Sequence, residues 1–337
     1  MMNMRVETLR GLACVLLVLY HVIGIDSSTG MRVEDGPVRW LNDGLAYLRM
    51  PLFTFLSGLV YGLRPLAGNS RAFLVGKVRR LLIPMLVVGT LFALMQSWKL
   101  GANATLGPWY LLHVLPVAHF WFLESLFWVF LLIWSLERSN LIGQAKGFLL
   151  VFVLACALYL NVGGWHWFSI VGAIYLLPYF LFGLAFSRFP LDAQLASPWV
   201  RFGLLALAAL AVVSMGMPVV NQDRRTLATL VAGLSLCALS LSLRMVVSWL
   251  ARIGPYSYAI YLFHIFFTAP ARIGLHALGI NSLPLHIFPG LMMGLAGPIV
   301  LDRVASGTSW TALLLLGKSV KRSDGLNAST PVFPRAH

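Results

Sequence analysis

Ten apolar stretches run through this chain, and each approaches the length needed to cross a lipid bilayer. A hydrocarbon core of about 30 Å takes about 20 helical residues, and fewer when flanking polar groups reach the interface. Because a bilayer offers no water to exposed backbone groups, apolar segments of this length cross it as helices. The sequence therefore predicts an all-α, polytopic integral membrane protein with about ten transmembrane helices. The predicted spans are residues 8–25, 40–63, 81–98, 119–136, 147–163, 167–187, 201–217, 226–247, 256–273 and 285–302.

Composition agrees with a surface that faces lipid. Of the 337 residues, 59% are hydrophobic and only 11% are charged, whereas a soluble domain carries about 25% charged residues. The net charge of +14 would suggest nucleic acid as a partner for a soluble protein. Here the basic residues fall between apolar segments, so we expect them to set topology and to contact membrane lipids rather than nucleic acid.

The distribution of basic residues predicts the orientation. With the N-terminus inside, 18 of the 25 lysines and arginines fall on the cytoplasmic side, six fall outside and Arg49 lies within the second span. Both termini are then cytoplasmic, and we expect the membrane to be the bacterial inner (plasma) membrane. Residues 1–317 are predicted to form one transmembrane domain and residues 318–337 a flexible basic tail. The apolar run at 310–316 is too short to span.

Two polar side chains in the first span are the sharpest functional signal. Arg10 and His21 are eleven residues apart, about three helical turns, so their side chains share one face and lie about 16 Å apart along the axis. Polar groups within spans are costly and are functional hypotheses by default. An imidazole is also the natural general base at neutral pH. Three cysteines (Cys14, Cys156 and Cys237) lie in apolar segments without metal-ligand spacing, so neither a metal site nor a disulfide is predicted.

Six stretches, in order, resemble the membrane acyltransferase type 3 family. They are LRGLACVLLVLYH at 9–21, MPLFTFLSG at 50–58, KVRRLLIP at 77–84, HFWFLESL at 119–126, LPYFLFG at 177–183 and IGPYSYAIYLFH at 253–264. The resemblance covers nearly the whole chain. It implies acyl transfer from a cytoplasmic acyl-CoA, most often acetyl-CoA, to a hydroxyl of a glycan or lipid-linked sugar. The acceptor is expected to be a polysaccharide unit such as that of an exopolysaccharide, and acyl-CoA a co-substrate rather than a permanently bound cofactor.

Residues can be assigned to these roles from their chemistry and from the resemblance. We predict that Lys77, Arg79, Arg80 and Arg10 bind the phosphates of coenzyme A. We predict that His21 is the catalytic residue, either as general base or as a nucleophile that carries the acyl group. Arg10 assists it at the cytoplasmic end of the shared face, along which the pantetheine arm would thread.

Four further residues complete the predicted site. Glu124, in the fourth span, is the acidic candidate for orienting the imidazole. Ser57, Trp121 and His264 are assigned to substrate binding: Trp121 can stack on a sugar, and the other two lie in motifs that carry the resemblance.

Two other classes of protein remain as alternatives. A transporter or flippase of a small solute or lipid-linked sugar would also bury arginine, histidine and glutamate, and a catalytically silent membrane subunit would resemble an enzyme in sequence. Within the enzyme class, a succinyl group would require a cation near His21, for which Arg49 is the candidate within a span. The sequence does not specify the acceptor.

Overall fold

The computed structural model describes residues 2–24, 29–63, 69–98, 107–161, 163–164, 167–191, 193–214 and 225–319. The residues within these ranges form helices and connecting loops, with no β-strand among them, which confirms the all-α prediction. The predicted tail lies outside the described ranges except for its first two residues. Of these, Lys318 places its Nζ 2.9 Å from both carboxylate oxygens of Asp302.

Fourteen α-helices lie within the described ranges. In chain order they are α1 (Met2–Ile23), α2 (Pro37–Gly44), α3 (Ala46–Leu63), α4 (Ser70–Lys77), α5 (Ile83–Trp98), α6 (Trp121–Arg138), α7 (Ala145–Asn161), α8 (Ile170–Arg188), α9 (Pro198–Ser214), α10 (Leu227–Ser242), α11 (Ser248–Ile253), α12 (Ser257–Ala277), α13 (Leu283–Ala305) and α14 (Ser309–Leu316). A π-helical turn, Val78–Leu82, joins α4 to α5.

Every predicted span coincides with a helix, although not every helix is long. Within the described residues, six helical stretches are long and apolar enough to cross a membrane. Three further helices, α7, α9 and α10, are apolar but have 16 or 17 residues, and α3 has 18, which corresponds to about 27 Å. The six long stretches are Asn3–Ile23, Ser70–Trp98, Ala118–Arg138, Trp167–Arg188, Ser248–Ala277 and Leu283–Ala305.

Two predicted spans differ from the helices that form. The stretch 40–63 is divided into α2 and α3, because α2 is a polar helix whose Arg39 and Asn42 both donate hydrogen bonds to the carbonyl of Gly24 at the end of α1. The stretch 226–247 stops being helical at Ser242, and Arg244 beyond it has a positive φ of 50°. A left-handed residue of this kind cannot continue a right-handed helix.

Glycines allow α3 and α8 to approach at the level of their backbones. A Cβ atom at Gly58 of α3 would overlap the carbonyl oxygen of Phe180 in α8, and a Cβ at Gly183 of α8 would overlap the carbonyl oxygen of Phe55 in α3. Such paired small residues are a common basis of helix association in membranes, where apolar burial alone gives little driving force. The two glycines therefore fix the spacing of this helix pair.

The same kind of contact holds the first helix in place. A Cβ at Gly11 would overlap the carbonyl oxygen of Leu250 in α11, and Gly294 of α13 packs against the side chain of Val18. Helix α1 is thus enclosed by α11, α12 and α13, and its position relative to α12 is set by close packing. This matters for the site, because α1 carries His21 and α12 carries His264.

Replacing Gly58 by alanine should destabilise the protein. The added methyl must displace the α8 backbone, and overpacking of this kind costs about 1–3 kcal/mol. The thermal unfolding midpoint of the purified protein in detergent would measure the loss. Gly203→Ala is the matched control, because a methyl group at Gly203 in α9 would meet no atom within 4 Å. An equal decrease in both variants would contradict the backbone contact as the cause.

Candidate active site

His21, near the end of α1, lies on the wall of a cavity of about 870 Å³. Its Nδ1 is 3.0 Å from the carbonyl oxygen of Leu17, one turn earlier, and 3.1 Å from Nε2 of His264. The two ring centroids are 4.6 Å apart. The imidazole predicted from the sequence is therefore in contact with a second imidazole from α12.

His264 lies behind His21 and is completely buried, with 0% of its surface exposed. Its Nδ1 is 2.8 Å from the carbonyl oxygen of Ile260 and 3.0 Å from that of Tyr261. A carbonyl oxygen only accepts hydrogen bonds, so Nδ1 of His264 carries the proton, and Nε2 of the neutral ring is an acceptor. His264 is not among the residues that line the cavity, and its Nε2 forms its hydrogen bond with His21.

This arrangement determines the tautomer of His21. Both neighbours of its Nδ1, the Leu17 carbonyl and Nε2 of His264, are acceptors, so Nδ1 must be the protonated nitrogen of a neutral ring. Nε2 of His21 then keeps its lone pair. A backbone carbonyl thus orients His264, and His264 orients His21, in the way that a buried acceptor orients the base in other acid–base sites.

A third imidazole, that of His119, completes the group. It stands on the turn Ala118–Phe120 just before α6, with its ring centroid 6.1 Å from that of His21 and 5.1 Å from that of His264. Its carbonyl oxygen accepts a hydrogen bond from the hydroxyl of Tyr261. Neither ring nitrogen makes a hydrogen bond within the described part of the chain. His119 is 9% exposed and lines the cavity.

An unpaired buried polar group costs about 1–3 kcal/mol and calls for an explanation. His119 begins the fourth predicted span, a position at which aromatic residues usually mark the head-group region. The structure buries it instead beside His21. No group of three or more His, Cys, Asp and Glu side chains among the described residues is arranged to hold a metal ion, so we consider the three imidazoles as acid–base and hydrogen-bonding groups.

The cavity combines aromatic walls with a few polar groups. Trp121 and Tyr175 meet edge to face with ring centroids 6.4 Å apart, and both line the cavity. Apolar and aromatic walls with a small number of polar groups are typical of ligand pockets. The other polar or aromatic side chains on the lining are Tyr20, Thr29, Arg49, Phe92, Gln96, Ser169, Arg225, Tyr261, Phe266, Thr268, Arg272 and His286.

Of the other predicted residues, Trp121 lines the cavity and Glu124 lies next to its wall. Oε2 of Glu124 accepts a hydrogen bond from the Ser169 hydroxyl at 2.6 Å, and Ser169, whose φ is +51°, lines the cavity just before α8. The described contact of Glu124 is thus with this loop and not with His21. Ser57 bonds the carbonyl of Phe53 in its own helix at 2.8 Å and is not among the residues that line the cavity.

Arg10 lies at the other end of α1, where its Nη1 is 2.9 Å from a carboxylate oxygen of Glu7. The helix face between Arg10 and His21 is filled by neighbouring helices, since Cys14 and Val18 are 0% exposed and pack with Ile260 and Leu295. The open path expected along this face is therefore absent from the described structure. A donor that reaches His21 must approach it from another side.

Arg79 and Arg80 lie in the π-helical turn and Lys77 ends α4 just before it, and the three side chains have different surroundings. Nζ of Lys77 lies 3.3 Å from the centroid of the Phe130 ring. Arg80 is exposed, and its carbonyl oxygen accepts a hydrogen bond from the hydroxyl of Tyr258 at the start of α12. Nε of Arg79 has no hydrogen-bond partner within the described ranges. π-Helical turns occur frequently at functional sites, and of the three side chains the two arginines are more available to a ligand.

Comparisons with known proteins give one finding. A family model described as an acyltransferase domain matches residues 4–303. No curated protein and no solved structure matches the chain. The match covers all the residues of the imidazole group and of the basic turn.

The hydrogen bond from His21 to His264 can be tested by histidine ¹⁵N NMR of the protein in nanodiscs. We expect His21 to be neutral and protonated at Nδ1 at pH 7. His264→Leu leaves the Leu17 carbonyl as the acceptor beside Nδ1, and we expect it to shift part of the population towards the Nε2-protonated tautomer. The eight histidines would be assigned by single substitution.

His276→Gln is the control, because His276 is exposed and bonds Asn281; it should leave the His21 signals unchanged. A His21 ring protonated at Nε2 in the unsubstituted protein would contradict the assignment.

Proposed function

The chain belongs to the acyltransferase family whose model it matches, and from this premise we propose that it transfers an acyl group from cytoplasmic acyl-CoA to a hydroxyl of a glycan or lipid-linked sugar. Acetyl is the proposed acyl group. The observation that carries the proposal is the free lone pair of His21 Nε2 on the wall of a cavity, with Nδ1 held by His264. A base that is oriented in this way is what an attacking hydroxyl needs.

In the proposed reaction, His21 acts as general base. The acceptor oxygen attacks the thioester carbonyl carbon while its proton passes to Nε2 of His21. When the tetrahedral intermediate collapses, the carbon–sulfur bond breaks and the coenzyme A thiolate takes the proton back from His21. The products are an ester and free coenzyme A, and the enzyme returns to its initial state.

His119 is proposed to stabilise the charge that develops on the carbonyl oxygen. Its ring lies beside His21 on the cavity wall, neither ring nitrogen has a hydrogen-bond partner among the described residues, and the neutral ring always has one N–H to donate. In this proposal His264 is a positioning residue rather than a substrate-binding one. Glu124 acts through Ser169, by holding the loop that borders the cavity.

The donor is proposed to bind at the basic turn. Arg79 and Arg80 are best suited to the phosphates of coenzyme A because guanidinium groups bind phosphate through two hydrogen bonds. Tyr258, which bonds Arg80, is six residues before His264 on α12, a separation of about 9 Å along the axis. The flexible pantetheine arm can span this distance. Both termini and this turn are assigned to the cytoplasm, and the membrane to the bacterial inner membrane.

The proposal is tested by release of free coenzyme A from acetyl-CoA and by transfer of radiolabelled acetyl to an added glycan, with purified protein in nanodiscs. We expect His21→Ala to lower kcat by about 100-fold or more, as for loss of a general base. His119→Phe should lower kcat by a similar factor, as for loss of an oxyanion donor, with KM almost unchanged.

His276→Ala is the control and should keep full activity. Full activity of folded His21→Ala protein would contradict the proposal, and absence of acetyl-CoA binding to the intact protein would favour a transporter. A further outcome is that acetyl label remains on the unsubstituted protein and is absent from the His21→Ala protein. That result would indicate an acyl-histidine intermediate in place of general-base catalysis.

Substitutions in the basic turn should affect the donor and leave the chemistry intact. We expect Arg79→Gln and Arg80→Gln each to raise KM for acetyl-CoA by about ten-fold, because each removes a charged hydrogen bond to phosphate, with little change in kcat. Lys77→Gln should have a smaller effect, since its ammonium lies on the Phe130 ring. Arg138→Gln, an exposed arginine that bonds Ser70, is the control. A decrease in kcat at unchanged KM would contradict the assignment of the turn to donor binding.

A further inference from the structure

The cavity beside His21 has a second set of basic side chains, which the proposed reaction does not use. Arg49, Arg225 and Arg272 all line it, and none of the described residues on its lining is an aspartate or glutamate. Three guanidinium groups on the described part of the lining favour a ligand with negative charge. We name this set the cavity arginines.

Arg49 is the most deeply buried of the three, with 2% of its surface exposed. Its guanidinium carbon lies 3.8 Å from the centroid of the Tyr20 ring, and Nη2 donates to the carbonyl of Asn42. Tyr20 directly precedes His21, with ring centroids 5.0 Å apart. The stacked ring therefore holds a permanent positive charge close to the base, at a depth where charged side chains mark functional sites.

Arg272 is on α12 and lies farther from the imidazoles than Arg49 does. It is eight residues after His264, about 12 Å along the helix axis, and donates a hydrogen bond to the carbonyl of Gly30 in the loop after α1. A ligand group held there would place the rest of the molecule between Arg272 and His21. The cavity arginines thus extend from the base towards the end of the molecule at which α12 ends.

Arg272 cannot bind the same phosphates as the basic turn 77–80. Tyr258, which bonds Arg80, begins α12, whereas Arg272 is 14 residues later, about 21 Å along the axis. The basic turn therefore lies at the end where α12 begins, whereas the cavity arginines extend from His21 towards the end where α12 stops. If coenzyme A occupies the basic turn, the cavity arginines are left for the group that approaches from the opposite side.

His286 provides a neutral contact in the same cavity. It is 1% exposed and lines the cavity, and its Nε2 is 2.7 Å from the carbonyl oxygen of Ile280. Nε2 must therefore carry the proton, so Nδ1 is an acceptor, and Nδ1 has no hydrogen-bond partner in the described ranges. A sugar hydroxyl could fill this position, and Trp121 and Tyr175 provide the aromatic faces on which sugar rings stack.

We propose that the cavity arginines bind an anionic group, a carboxylate or phosphate, on an acidic acceptor sugar whose hydroxyl is presented to His21. The inference rests on the proposed function and makes its acceptor class specific. The same chemistry would bind the free carboxylate of a dicarboxylic acyl chain such as succinyl, so the experiment has one arm for each source of the anion.

The first arm measures binding without turnover. Protein in phosphatidylcholine nanodiscs, which carry no net lipid charge, is titrated calorimetrically with glucuronate and glucose 6-phosphate, and with glucose as the neutral match. We expect the acidic sugars to bind at least about ten-fold more tightly than glucose, as for a charged hydrogen bond. Arg272→Gln should remove the difference and Arg272→Lys should retain part of it. Arg303→Gln, an exposed arginine beside Tyr256, should retain all of it.

The second arm compares succinyl-CoA with acetyl-CoA by release of free coenzyme A. A preference for succinyl-CoA that disappears in Arg272→Gln or Arg49→Gln would assign the anion to the acyl chain. The inference is overturned if neither arm detects a preference for the charged compound. It is also overturned if the preference survives in both Arg272→Gln and Arg49→Gln.

The two arms also separate this inference from the proposed function. Sugar binding requires no acyl transfer, so charge selection can be measured even if no coenzyme A is released. Conversely, acetyl transfer could depend on His21 and be equally fast to neutral and acidic sugars. That result would support the acyltransferase proposal and contradict the inference that the acceptor sugar is acidic.

Discussion

The hydrogen bond between Nε2 of His264 and Nδ1 of His21 is the contact on which the site depends. It forms only if α1 and α12 keep their spacing and rotation, because a ring shift of about 1 Å would separate the two nitrogens beyond hydrogen-bonding distance. Packing supplies that precision: Gly11 brings the backbone of α11 against α1, and Gly294 brings α13 against Val18. The glycine contacts that define the bundle therefore also define the tautomer of His21.

Neutral hydrogen-bond acceptors orient the base here, where many acid–base sites use a carboxylate. A carboxylate behind His21 would have to be desolvated within the membrane, at considerable cost. The Ile260 carbonyl and the His264 ring fix the tautomer without a net charge. The acidic side chain nearby, Glu124, is directed to Ser169, where it supports the loop along the cavity.

The basic side chains form two separate groups along the bundle, which suits the binding of two substrates. The basic turn 77–80 lies at the end where α12 begins and the cavity arginines lie towards its other end. In the proposed reaction each group of cations would bind a different anion, with the imidazoles between the two groups. Two separate groups of cations suit the proposed transfer from a cytoplasmic donor to an acceptor on the opposite side. The two substrates can then meet at one atom without competing for the same charges.

The sequence by itself determined the positions of the helices. Apolar length predicted a helix at every proposed span, since the bilayer imposes the length of a helix directly, and the spacing of Arg10 and His21 on one helix followed from local geometry. Tertiary structure alone decided what His21 contacts. His119 and His264 are 98 and 243 residues from it along the chain, and no local pattern specifies which helices meet. The same limit applies to Arg272 and His286, which lie near the ends of predicted spans, and to the face between Arg10 and His21, which is packed rather than open. Each of these depends on neighbours that the helices acquire only in the folded bundle.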